Sequence, residues 1–316
     1  MAQIILILLL AFNFASEEKS NKACYITYET KGFEGRKKFT VYVQDTGNTA
    51  YYYGFEIAHE LDTSALVNTD QFRLQRANIY RFNGVAMEAT GLKALANGES
   101  ECVYRSKDAI DFTGGWHGDE KLVDVAFYMD EKLLSGEELS SSFNLRPCRE
   151  FSYRQTSKMF RTAREGETSK LKPAIEARHV KRSVFRNSGY ESQNKISWEL
   201  NGTIAIGYMS ISCIATDIGE FCQSDTSEVY TLDRSGDRKI NDMGNTAYVW
   251  NKSNGTSVVV GSEFNINNDV AIQFIWDVTN YSKYYRNLVN DTPMEVKAGE
   301  TWSSDTQLKF KMDGSM

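Results

Sequence analysis

Only three of the 316 residues are His, so the search for proton-transfer chemistry is short. The segment Asp111-Phe-Thr-Gly-Gly-Trp-His-Gly-Asp-Glu120 surrounds His117 with three glycines and a Trp. Glycines let a backbone turn tightly or approach a ligand closely. His117 then reads as a general acid or base, oriented by Asp119 or Glu120. Trp116 reads as a ring for stacking on a sugar. The alternative is a structural turn whose His and carboxylates only bond the loop. Asp111, Asp119 and Glu120 also form a possible Ca²⁺ set, but their spacing matches no EF-hand. No metal and no cofactor is expected.

A second segment, Glu176-Ala-Arg-His-Val-Lys-Arg-Ser-Val-Phe185, reads as a strand. Residues two apart share a face, so His179 and Lys181 lie together and Arg182 lies opposite. Both cations are candidates for binding carboxylate or sulfate groups, with Lys181 favoured beside His179. In the third segment, Gly207-Tyr-Met-Ser-Ile211, Tyr208 is flanked by small polar positions and suits the floor of a cleft. In Tyr281-Ser-Lys-Tyr-Tyr-Arg286, Tyr284 and Arg286 share a face and are further candidate sugar contacts. For each segment the alternative is an ordinary strand with no ligand.

These residue types suit one reaction. β-Elimination from a uronate polymer needs the carboxylate neutralised, the C5 proton removed and the leaving oxygen protonated. Arg, Asn or His supplies the first, His or Tyr the second, Tyr the third. The chain has no G-x-S-x-G, H-E-x-x-H or P-loop signature. A two-carboxylate glycosidase stays open, though no acidic pair stands out.

The elements that must position these groups are strands. Apolar and polar residues alternate in 24–28, 39–43, 122–129, 203–213, 271–276 and 307–312. Turn signals such as Asn83-Gly84, Asn97-Gly98 and Asn201-Gly202 separate such runs. Helical spacing is confined to 58–66 and 91–96. The expected fold is all-β: a large antiparallel β-sandwich or jelly roll with few short helices, one domain over 16–316.

The overall charge of -6 argues against a general nucleic-acid binder. It conceals an asymmetry. Residues 146–195 hold 13 Lys/Arg against 5 Asp/Glu, a net of +8. Residues 200–316 hold 9 against 15, a net of -6. A basic sheet face attracts a polyanion, whereas an ordinary solvated face needs no ligand.

Residues 4–12 (IILILLLAF) have the length of a signal-peptide apolar region and are too short to span a bilayer. Cleavage after Ala15 would release a secreted chain, expected to be monomeric and off the membrane. Five N-x-Ser/Thr sequons, at Asn201, Asn251, Asn254, Asn280 and Asn290, accord with export and glycosylation. Five Cys permit two disulfides. Cys213 with Cys222 and Cys102 with Cys148 are the pairs guessed from position.

The run Gly114-Gly-Trp-His-Gly-Asp-Glu120, with the following strand to Asp130, resembles phage tail-appendage and related secreted β-sandwich proteins. So does Lys195-Ile-Ser-Trp-Glu with Ile204-Ala-Ile-Gly-Tyr-Met-Ser-Ile211. The resemblance covers residues 100–215 and implies recognition, in some members cleavage, of polysaccharides. The chain is also similar in general plan to jelly-roll polysaccharide lyases, which use His, Tyr and Arg in an open cleft. The R-x-E-x-R and Y-x-A-G-x-Y motifs of alginate lyases are absent. What carries over is His117, His179 and Tyr208 as catalytic candidates. The resulting expectation is a secreted lyase for an acidic polysaccharide; the alternative is a lectin-like module binding one.

Overall fold

The computed structural model describes residues 23–64, 67–98, 100–167, 174–224, 228–234, 238–241, 246–265, 272–289 and 292–313. The proposed leader, Asn290 and part of the basic segment lie outside them. The regular elements of the described chain are all strands, apart from a three-residue 3-10 turn at Gly115–His117.

The first half holds β1 (Cys24–Phe33), β2 (Arg36–Gln44), β3 (Tyr51–Asp62), β4 (Thr69–Phe82), β5 (Met87–Leu95), β6 (Val103–Ser106), β7 (Glu120–Met129), β8 (Lys132–Leu133), β9 (Phe143–Cys148) and β10 (Phe151–Phe160). The second holds β11 (Ile175–Arg186), β12 (Gly189–Trp198), β13 (Gly202–Ala215), β14 (Phe221–Ser224), β15 (Val229–Thr231) and β16 (Arg238–Asn241). It ends with β17 (Thr246–Asn251), β18 (Thr256–Asn265), β19 (Ile272–Val278), β20 (Tyr281–Val289), β21 (Met294–Val296) and β22 (Thr301–Met312).

Hydrogen bonding sorts these into two layers. One runs β9-β1-β2-β3-β4-β5-β13-β20-β19-β16, with β6 and β21 also on β13. The other runs β8-β7-β10-β11-β12-β22-β18-β17-β14-β15. All these pairs are antiparallel. A short parallel contact, Thr69 and Asp70 of β4 against Glu120 and Lys121 of β7, joins the layers along one seam. The expected sandwich is present.

Two windows read as helical belong to strands. Residues 58–62 continue β3 in register with β4, and 91–95 lie in β5. An apolar spacing over fewer than ten residues does not separate the two periods, and cross-strand pairing decides.

The layers meet face to face through aromatic rings. Phe39 packs 4.5 Å from Phe127 and Phe55 5.2 Å from Phe185, centroid to centroid. Tyr53 meets Phe310 at 5.1 Å. A separate apolar cluster holds Met159, Ala177, Ile196, Trp198 and Trp302. Between the two clusters, β10, β11, β12 and β22 turn polar residues inward. Gln155, Lys181, Asn194 and Ser304 are paired side by side across these strands. Tyr153, Ser183, Ser192 and Thr306 form the next row. All eight are buried.

No disulfide joins the cysteines, and all five are buried. The guessed pairings do not form. Cys102 points its thiol at the Met209 sulfur, 3.7 Å away, while Cys148 packs in the main core. Cys213 and Cys222 lie in different apolar clusters. The register instead sets Cys24 directly opposite Cys148, on β1 and β9.

Candidate functional site

The loop 111–119 sits beside the seam and folds by backbone demand. Gly115 and Gly118 have φ of +53° and +81°. A Cβ on Gly115 would lie 1.9 Å from a Glu101 carboxylate oxygen, and one on Gly118 1.7 Å from the Val67 carbonyl. Only glycine fits either position. The Asp119 N–H donates to the Val67 carbonyl at 2.9 Å, and Gln71 Nε2 donates to the Gly115 carbonyl at 2.9 Å. The Trp116 N–H donates to Glu101. Thus pinned, Trp116 stands 62% exposed.

His117 is half-buried, with Nδ1 2.8 Å from an Asp111 carboxylate oxygen. Asp111 is the orienting partner, rather than Asp119 or Glu120. Asp119 instead accepts from the Thr162 hydroxyl, and Glu120 from Ser157. The three carboxylates once grouped as a Ca²⁺ set thus serve separate partners. Among the described residues no group of three or more His, Cys, Asp or Glu is placed to hold a metal ion.

Phe112 gathers three polar groups. Its ring centroid is 4.9 Å from the His117 ring, 5.5 Å from the Tyr208 ring and 5.4 Å from the Arg105 guanidinium carbon. Tyr208 also packs 4.9 Å from Tyr285. The structure therefore brings His117 and Tyr208 to one neighbourhood and adds Arg105. Nothing in the spacing of Arg105 singles it out; it is recruited through the ring of a loop residue.

His179 lies elsewhere. It is 3% exposed. Its Nδ1 is 2.9 Å from Glu120 Oε1 and its Nε2 3.1 Å from Asn194 Oδ1. Both ring nitrogens are engaged inside the sandwich, so His179 supports the interior and does not reach a surface substrate. Burial alone would push the Glu120 carboxyl up, but the His179 charge and hydrogen bond, the Ser157 hydroxyl and the Lys181 charge together outweigh it. Glu120 titrates below the usual Glu range.

Lys181 shares the inward face with His179, as alternation requires, and is likewise buried. Burial pushes its ammonium down; Tyr153, Tyr190 and Glu120 more than offset that, and it titrates above the ordinary Lys range. It is not a surface cation. Tyr284 is 1% exposed and packs in the main core, so it is not a sugar contact. The Arg286 side chain lies outside the described residues.

Arg182 is exposed on the outer face of the second layer. Strand register assembles its neighbours. Arg154 on β10 lies directly opposite Arg182 on β11. Two repeats further, Lys121, Lys158 and Arg178 line up across β7, β10 and β11. Lys195 on β12 lies opposite Val180, between the two rows. Asp124 shares this face, and Arg178 pairs with Glu199. The face changes sign along the rows. Past Arg182 come Gln193, Asp305 and Glu263, in an open groove of about 460 Å³ also lined by Glu191 and Gln307.

No protein-family model matches this chain, and neither does any curated protein. Among solved structures it is similar to the galactosidase domain of an α-galactosidase–sucrose kinase, at 10% identity and a TM-score of 0.45. That match covers 88% of this chain and 41% of the other, so the chain spans about two fifths of its length. A glycoside hydrolase family 97 enzyme from Pseudoalteromonas sp. strain K8 matches at 8% identity and 0.44, over 84% and 35% of the two chains. The Slr1438 protein from Synechocystis sp. PCC 6803 matches at 8% and 0.40, over 87% and 96%. At such identities and scores, residue roles rest on this chain's own geometry.

Proposed function

We propose that this chain binds an acidic polysaccharide on the exposed face of its second layer. One observation carries the reading: three directly opposed cation pairs, Arg154–Arg182, Lys158–Arg178 and Lys121–Lys158. Like charges opposite one another on a sheet destabilise it. A polyanion lying across the strands relieves that repulsion and releases its counterions. Among the described residues the register places Thr156 and Val180, and no aromatic ring, between these cations, which suits sulfate or carboxylate groups better than stacked bases.

The test is titration of the protein with heparin, alginate, polygalacturonate and chondroitin sulfate at increasing NaCl. Binding that weakens steadily with salt, and is lost in the Arg154→Ser, Lys158→Ser, Arg178→Ser triple variant, supports it. Failure to bind any of the four, or salt-independent binding, overturns it.

Cleavage of such a polymer by β-elimination is a second reading, favoured by the gathering of His117, Tyr208 and Arg105 around Phe112. His117, held by Asp111, serves as base, Tyr208 as acid, and Arg105 neutralises the uronate. A rise in the ultraviolet absorbance of an unsaturated uronate, abolished by His117→Ala, is the expected signal. Without that rise the chain is a binding module only.

Secretion belongs to the same proposal. Cys24 and Cys148 face each other on paired strands, at a separation that suits a disulfide. In an oxidising compartment these two thiols cross-link and Cys102, Cys213 and Cys222 remain thiols. Protein retained inside the expressing cell would count against export, and five thiols in protein recovered from the medium would count against the cross-link. Of the sequons, Asn254 is poorly placed for glycan attachment, because its Nδ2 donates to the Asp217 carbonyl at 2.7 Å. Asn201 and Asn280 are exposed.

A further inference from the structure

Trp116 is neither part of the basic face nor buried in the core. An indole left 62% in water forgoes the burial that a residue of this size normally gains. Yet it is held firmly. Its backbone N–H is anchored on Glu101, and glycines fix the turn on either side. From behind, the Arg73 guanidinium carbon sits 5.8 Å from the ring centroid. Arg73 is itself 3% exposed, bonded to Glu60 at 3.0 Å and to the Gly98 carbonyl at 2.6 Å. A buried, ion-paired cation behind an exposed ring makes a rigid platform.

The platform edges a groove of about 330 Å³. Phe33, Leu61 and Val67 continue the apolar wall, and Arg36, Glu60, Asp62 and Gln75 supply flat polar groups. A pyranose ring has the same division: an apolar C–H face for an aromatic ring, and an edge of hydroxyls for planar groups that both donate and accept. The volume falls in the small-ligand range of about 300–1,000 Å³. Of the ionised side chains of the lining, Glu34 pairs with Arg36 and Glu60 with Arg73, so the Asp62 carboxylate sets a net negative charge. That net negative charge disfavours a uronate or sulfated sugar. It also differs from a protein interface, whose centre is depleted in charged residues.

We propose that the Trp116 groove binds a neutral pyranose unit, stacked on the indole and hydrogen-bonded through Arg36, Glu60 and Gln75. This site is independent of the basic face, and its ligand differs in charge. The experiment is calorimetric titration of the full chain with cellohexaose, maltohexaose, mannohexaose and xylohexaose. At least one should bind, with an affinity insensitive to NaCl, and Trp116→Ala should weaken it by about tenfold or more, the scale of an anchoring aromatic. Gln75→Ala should weaken the same ligand less. Heparin binding should be unchanged in Trp116→Ala, which separates a failure here from a failure of the polyanion reading. Three results overturn the proposal. None of the four sugars binds, or binding survives Trp116→Ala, or the wild type forms a concentration-dependent dimer that this variant abolishes.

Discussion

Strand β11 crosses two interiors within one element. Its inward residues run Ala177, His179, Lys181, Ser183, Phe185, from one apolar cluster, through polar residues, into the aromatic core. β10 repeats the sequence with Met159, Ser157, Gln155, Tyr153 and Phe151, and β22 with Trp302, Ser304, Thr306, Leu308 and Phe310. The aromatic half is held by area removed from water and by ring contacts, which tolerate small shifts. The polar belt is held by hydrogen bonds and buried charge, where each group depends on its partner. Alternation thus decides which side a residue faces, but not what that side is made of.

The sharpest contrast is the response to truncation. Phe185, fully buried, packs at 5.2 Å on Phe55 and 5.1 Å on Tyr190. Phe185→Ala should cost about 4 kcal/mol, from lost transfer energy and the cavity left behind. Urea denaturation gives the number, and a loss below about 1 kcal/mol would mean the two layers are not packed together there.

Glu120→Ala should come next, at about 3 kcal/mol, because it strands the charge of Lys181 and an engaged nitrogen of His179. This variant also carries a pH signature. Glu120 titrates below its unfolded range, so its contribution is complete above that range and is lost as pH falls through the folded value. Glu176 works in the opposite sense. Burial raises it, so acidification through the same region relieves a cost. Glu120→Gln should therefore flatten the acid limb of the stability curve, whereas Phe185→Ala should shift the curve down without changing its shape. An acid limb unaltered in Glu120→Gln would assign acid sensitivity to other carboxylates.

A smaller effect marks the middle of the belt. Ser304 Oγ donates to the Met209 carbonyl at 3.0 Å, across the two layers. Ser304→Ala should cost about 1 kcal/mol, the net worth of one buried hydrogen bond. A neutral outcome would show that water reaches the carbonyl.

The legibility of the chain follows the same contrast. Runs such as Phe39–Val43 and Leu122–Met129 were readable as strands because β-branched and aromatic residues recur at a period of two. The opposite facing of Lys181 and Arg182 was equally readable. The sign of each face was not. Polar residues in a strand read as the wet side, so His179 and Lys181 looked like ligand-binding groups. Only the packing of β13 and β4 over them shows otherwise. The expected Cys pairs failed for a related reason: Cys24 and Cys148 meet through the β1–β9 register, which a sequence far apart along the chain does not disclose. Trp116 was legible as special from its glycines, and the groove beside it needed residues from β2, β3 and β4.

The outer face completes the comparison with the smallest and most diagnostic change. Arg154 and Arg182 are exposed and directly opposed, and the first carboxylate in their register row is Asp305, two strands beyond Arg182. In the buried belt, removing a charge destabilises, because its partner is left in a dry interior. On the wet face the repulsion is screened but still unfavourable, so removing one charge should stabilise. Arg154→Ser should raise stability by about 0.2–0.5 kcal/mol at low ionic strength, and the gain should fade in high salt. The same variant should weaken heparin binding and lower its salt slope by roughly one counterion. A cation kept at a cost to the fold, and lost together with binding, has its reason in the partner. If stability and binding instead fall together, Arg154 is an ordinary structural residue and the basic face owes its charge to solvation.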